Sequence, residues 1–141
     1  MLKGVCLVVT GLVVVTVLNA ASLPKSQEQQ SQRGSYLVNN IAGCGDCHTP
    51  RLPNGAPDKS HWLQGAPLFF APLQPIPNWA KQAPDIAGLT AWNAEDIVKL
   101  LETGALPNGQ RPNPPMPSYR MTPRDAQAVV AYLKSLPAAK P

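Results

Sequence analysis

Cys44-Gly45-Asp46-Cys47-His48 is the stretch on which the reading of this chain turns. A Cys-x-x-Cys followed at once by His is the pattern of a c-type haem attachment site. On a single helical turn the two thiols and the imidazole, at spacings of three and four, face one side and meet one flat ligand. The thiols add to the two vinyl groups of a haem, and the imidazole nitrogen takes the proximal side of the iron. Gly45 and Asp46, both small, let a macrocycle lie close. A redox dithiol would also use Cys-x-x-Cys, but in a βαβ setting, and a zinc site needs two more ligands. Neither is offered, since Cys6 and His61 are the remaining Cys and His of the chain.

The 141 residues make one small domain with an N-terminal addition. Charged residues are 14% and prolines number 17. The apolar core is therefore modest, and a covalently held porphyrin would enlarge it. The formal charge is +4, or +3 without the segment that carries Lys3. No basic run interleaved with aromatics points to nucleic acid, and the mild positive balance suits a solvated surface with a docking role.

Residues 1–21 have the form of a secretory signal peptide: Lys3, an apolar run from Val5 to Leu18, then Ala20, Ala21 and Ser22. The run is shorter than the roughly 20 residues of a membrane span, which favours cleavage, with an uncleaved tether as the alternative. Export places the chain in the periplasm and removes Cys6 with the signal. Only the two haem-bound thiols then remain, so no disulfide is expected. Residues 22–30, polar and Gln-rich, read as a flexible linker.

Folded structure is expected over 31–137, with 138–141 as a tail. Tyr36, Leu37, Val38 and Ile41 keep helical spacing as far as Gly43, which predicts a short helix leading into the motif. Gly34 in that helix is either a loop residue or the place where another helix approaches. From Thr49 to Leu89 prolines recur and argue against regular structure, yet Trp62, Phe69, Phe70 and Trp79 make the segment apolar enough to wrap a porphyrin. His61, beside Asp58 and Lys59, reads as a surface residue rather than an iron ligand.

Asn93 caps a second helix with Glu95 and Asp96 in its first turn, Ile97, Val98, Leu100 and Leu101 on its buried face, and Gly104 at its end. Pro112, Pro114, Pro115 and Pro117 then stiffen the chain around Met116. A thioether so presented is the expected sixth iron ligand, with Met121 the second choice, His61 the third, and plain core filler the alternative. Thr122-Pro123 starts a final helix whose Val129, Tyr132, Leu133 and Leu136 share one face, expected to cross the first helix near Gly34.

Residues 31–137 resemble a class I cytochrome c domain in four places: Gly34-Ser35-Tyr36-Leu37, Cys44-Gly45-Asp46-Cys47-His48-Thr49-Pro50, the late Met116-Pro117, and Tyr132-Leu133 in the closing helix. More narrowly, Pro114-Pro115-Met116-Pro117 with Met121-Thr122 and the run from Ala131 to Pro137 is similar to the cytochrome modules that accept electrons from periplasmic dehydrogenases, alcohol dehydrogenase cytochrome subunits among them. Those subunits often carry three haem domains; this chain has one motif. The resemblance implies an all-α fold, with N- and C-terminal helices crossing over one covalently bound haem c and long Pro-rich loops. It implies an electron carrier rather than an enzyme, cycling Fe(III)/Fe(II) between His48 and Met116. Its partners would be a dehydrogenase donor and a cytochrome or oxidase acceptor, met in transient docking, with membrane contact only if the N-terminal segment is retained. Arg51, Lys59, Lys81, Arg111 and Arg120 are the candidate steering charges, or else simply solvated. The rival readings are a five-coordinate haem c sensor or enzyme, in which Met116 does not bind, and a haem-free adaptor with free thiols.

Overall fold

The computed structural model describes residues 25–139. The signal-peptide reading of 1–21, the first three linker residues and the end of the tail lie outside the described residues. Helix α1 spans Lys25–Tyr36, so residues 25–30, expected as a flexible linker, are helical. Their composition misleads because it has no apolar stripe. Gln, Glu and Lys are nonetheless good helix formers, and tertiary contact supplies what propensity lacks. That contact comes from α4 (Pro123–Ser135), where Arg33 Nε donates to Asp125 Oδ1 at 2.9 Å and Ser31 Oγ lies 3.5 Å from Ser135 Oγ.

Gly34 is buried in this crossing: a Cβ on it would stand 1.9 Å from the Ala128 carbonyl oxygen. The helix-approach reading of Gly34 is therefore the right one. Beyond α1 the chain makes one π-helical turn, Leu37–Ile41, closed by the Ala42 N–H on the Leu37 carbonyl at 2.8 Å. Leu37 and Val38 enter the core while Ile41 stays outside. Gly43, at φ +61°, then reverses the backbone into α2 (Cys44–His48).

The expected helical frame is present, but the Pro-rich connection is not wholly irregular. Strands β1 (Gln64–Pro67) and β2 (Gln82–Asp85) pair antiparallel with Ala66 opposite Ala83, so the fold is not purely helical. Alternate residues of a two-stranded ribbon turn their backbone groups away from the partner strand, and Pro84 occupies such a place. Helix α3 (Ala94–Thr103) begins as read from sequence, with Asn93 Oδ1 accepting from the N–H groups of Glu95 and Asp96, and it ends at left-handed Gly104. Thr122 Oγ1 caps α4 by accepting from Asp125 N–H. Leu37, Val38, Leu63, Ile97, Leu100, Leu101, Val129, Val130 and Leu133 form the core these helices share.

Gly34→Val should lower the unfolding free energy by about 1–3 kcal/mol through overpacking, read by urea titration of helical circular dichroism. The hydrogen bond from Arg33 holds the Asp125 carboxyl below the usual carboxylate range. Its stabilisation is present at neutral pH and is lost as pH falls through the folded-state value. Asp125→Asn should therefore flatten the acid limb of the stability profile.

Candidate functional site

The attachment motif sits where the chain turns from the core towards the ribbon. Gly45 is buried, and a Cβ there would fall 2.2 Å from the Trp62 ring. The small residue between the cysteines thus seats an indole, a packing reason the sequence did not disclose. Asp46 is exposed.

His48 is buried, and its Nδ1 lies 2.8 Å from the Pro84 carbonyl oxygen. A carbonyl only accepts, so Nδ1 carries the proton and Nε2 keeps a bare lone pair. Burial lowers the His48 pKa, opposed by the Pro84 bond and by Asp85, and the ring is neutral in neutral solution. The carbonyl it meets is held from several sides. Leu63, fully buried at φ +61°, accepts from Ile86 N–H at 3.0 Å and Ala87 N–H at 3.2 Å. Its own N–H donates to the buried Thr49 Oγ1 at 3.0 Å. Trp92 Nε1 donates to the Asp85 carbonyl, and Ala87 N–H to Asp85 Oδ1. A left-handed leucine costs about 1–3 kcal/mol and persists because these bonds over-determine it.

Burial pushes the Cys44 thiol up to about 11, and burial followed by the Asp46 charge raises Cys47. A redox dithiol needs the opposite shift. Among the described residues no group of three or more His, Cys, Asp or Glu is placed to hold a metal ion by itself, which also weighs against zinc.

Met116 is half-buried and packs against the core from a segment tied down along its length. Met116 N–H donates to Asn113 O at 3.3 Å, Ala80 N–H to Pro114 O at 2.7 Å, and Met121 N–H to Leu101 O at 3.0 Å. Tyr119, three residues after Met116, donates its hydroxyl to the Ala42 carbonyl at 2.9 Å, two residues before Cys44. This clamp between the two halves of the site was missed from sequence; the clue was a tyrosine close behind the methionine. Met121 lines a groove with Arg33, Tyr36, Ile41 and Asp125 that the Ala42–Tyr119 pair also borders.

The remaining sequence candidates fall on both sides of expectation. His61 is exposed, its Nδ1 2.7 Å from Asp58 Oδ2, as a surface residue should be. Trp62 and Trp79 are half-buried, and Phe70, expected with Phe69 to cover the porphyrin, meets the Trp79 ring edge-on at 5.9 Å. Arg51 and Lys59 are not simply solvated: the Arg51 guanidinium lies 4.4 Å over Phe69 and the Lys59 ammonium 3.6 Å over Trp62. Arg120 bonds the Tyr119 carbonyl, while Lys81 and Arg111 are exposed. Trp79 Nε1 is buried without an acceptor among the described residues. An orphaned N–H is costly, and a haem carboxylate is an acceptor of the right chemistry. With two thiols, a bare imidazole nitrogen and a thioether, the residues present fit haem c.

The cytochrome c family model matches residues 31–137, and the chain belongs to that family. It is a c-type cytochrome, a haem-binding electron-transfer protein rather than a catalytic enzyme. Among curated relatives it is 36% identical over 114 residues to the "Diheme cytochrome c-type" protein of Cereibacter sphaeroides, covering 77% of this chain and 36% of that protein. It is 34% identical over 111 residues to the fructose dehydrogenase cytochrome subunit of Gluconobacter japonicus, covering 75% of this chain and 22% of the subunit. The cytochrome c subunit of the quinone alcohol dehydrogenase of Gluconobacter oxydans is 34% identical over 116 residues, covering 75% of this chain and 24% of the subunit. The matched part thus spans about a third or less of these relatives.

Thr49→Val removes the acceptor of the buried Leu63 N–H and should cost about 1–3 kcal/mol of unfolding free energy, with Thr49→Ser retaining most of it. Denaturant titration of the three proteins side by side checks this.

Proposed function

We propose that this chain is a periplasmic monohaem cytochrome c that passes single electrons from a dehydrogenase towards a respiratory chain. Cys44 and Cys47 would hold the haem through thioethers, and His48 Nε2 and Met116 Sδ would be the donors to its iron. The observation that carries the reading is the hydrogen bond from the buried His48 Nδ1 to Pro84 O. When bound, haem iron supplies reversible one-electron chemistry.

The residues divide the remaining work. Pro84 fixes the His48 tautomer and ring plane and raises the basicity of Nε2. The proline-flanked, hydrogen-bonded segment presents the Met116 thioether with little freedom left to lose, and a soft thioether favours the ferrous state. The orphaned Trp79 N–H would donate to a haem carboxylate. With both protein donors bound, the iron would offer oxygen and peroxide no open place, which would separate a carrier from a haem enzyme. One Cys-x-x-Cys-His in the sequence supports one haem, and residues 1–21 support export. The names of the relatives support a dehydrogenase as donor.

The exported protein should exceed its polypeptide mass by one haem. Its ferric spectrum should show a weak thioether band near the red end, kept in Met121→Ala and lost in Met116→Ala, which should also gain carbon monoxide binding when reduced. Rapid carbon monoxide binding to the reduced wild type would instead establish the five-coordinate sensor or enzyme.

A further inference from the structure

We propose that Tyr119 is a latch on the Met116 segment: its hydroxyl bond to the Ala42 carbonyl holds that segment shut and so sets how readily a foreign ligand displaces the thioether. The role rests on Met116 as the second iron donor, as proposed above. It makes Tyr119 a positioning residue that decides between an electron carrier and a ligand-binding haem protein.

The segment is fastened at its ends. Ala80 N–H donates to Pro114 O at 2.7 Å, and Met121 N–H donates to Leu101 O in α3 at 3.0 Å. Near the second end Ser118 packs on the turn that closes α3, where a Cβ on Gly104 would stand 2.8 Å from Ser118 Cβ. Between the ends the bonds are local. Met116 N–H reaches back to Asn113 O at 3.3 Å, and Arg120 Nη1 bonds the neighbouring Tyr119 carbonyl at 2.7 Å. Among the described residues the Tyr119 hydroxyl supplies the one hydrogen bond that leaves 115–120 for a distant part of the chain, 2.9 Å to Ala42 O.

The place where that bond lands gives it its effect. Ala42 comes two residues before Cys44, and Tyr119 three after Met116. Across 77 positions of sequence the bond joins the stretch that bears the thioether to the stretch that bears the thiols. Burial pushes the Tyr119 hydroxyl up to about 12, so it keeps the proton it donates. The crossing of α1 and α4 has ties of its own, Gly34 against Ala128 and Arg33 on Asp125. Loss of the hydroxyl therefore favours a local opening of 115–120 over unfolding of the whole domain. One net hydrogen bond shifts such an equilibrium by about 2- to 12-fold.

The test uses the haem-loaded chain in its ferric form at neutral pH, with imidazole as the displacing ligand. Wild type, Tyr119→Phe and Asn93→Ala are compared by stopped-flow absorbance for imidazole binding and by urea titration for stability. Tyr119→Phe keeps the ring and should keep the thioether band, yet bind imidazole about 2- to 12-fold faster than the wild type at equal imidazole concentration. Asn93→Ala strips the cap from the opposite end of α3 to Leu101. It should lower the urea midpoint and bind imidazole at the wild-type rate. An unchanged rate in Tyr119→Phe overturns the proposal. So does an equal acceleration in Asn93→Ala, which would mean that access follows general stability rather than one bond. A wild type with no thioether band before imidazole is added contradicts the ligand assignment itself and removes the latch with it. Reading the band first keeps the two failures apart.

Discussion

The hydrogen bond between His48 and the Pro84 carbonyl is the constraint around which the rest is arranged. A buried imidazole without a partner would be free to turn over or to tautomerise. This one has an acceptor at 2.8 Å, the carbonyl of Pro84 in β2. Leu63 accepts two successive N–H groups just beyond Pro84, and Thr49, the residue after the histidine, receives the Leu63 N–H. The two-stranded ribbon is thus the support of a ring orientation more than a sheet in its own right.

The same logic extends to the other side of the motif. Gly34 lets α1 and α4 meet at backbone distance, Arg33 and Asp125 fasten the crossing, and the π turn carries the chain on to Gly43. Tyr119 then joins this end of the molecule to the segment that bears Met116. Sequence-distant parts are brought to one place by short polar ties laid over a small apolar core. A domain with this little core depends on such ties more than a larger one does.

Much of this was legible because certain residues have only one economical use. A histidine directly after Cys-x-x-Cys, Asn93 and Thr122 ahead of acidic first turns, and Gly104 after an apolar helix face each announce their role. What was not legible depended on partners far along the chain. The Gln-rich start looks like linker until α4 is placed beside it, and prolines argue against strands until their free edges are seen. Gly45 looked like an allowance for the macrocycle and is also an allowance for Trp62. Tyr119 and the orphaned Trp79 N–H are single polar atoms, invisible to any periodicity.

The family accounts for electron transfer by haem c, and the proposed ligand pair of His48 and Met116 would hold the group in a closed setting. Closure is the central claim, because it separates a carrier from a ligand-binding haem protein. Proton magnetic resonance of the reduced protein with isotopically labelled methionine methyls tests it most directly. The account predicts one methyl signal, absent in Met116→Ala, moved far upfield by the ring current of a haem directly beneath it. All methionine methyl signals at ordinary positions would contradict it.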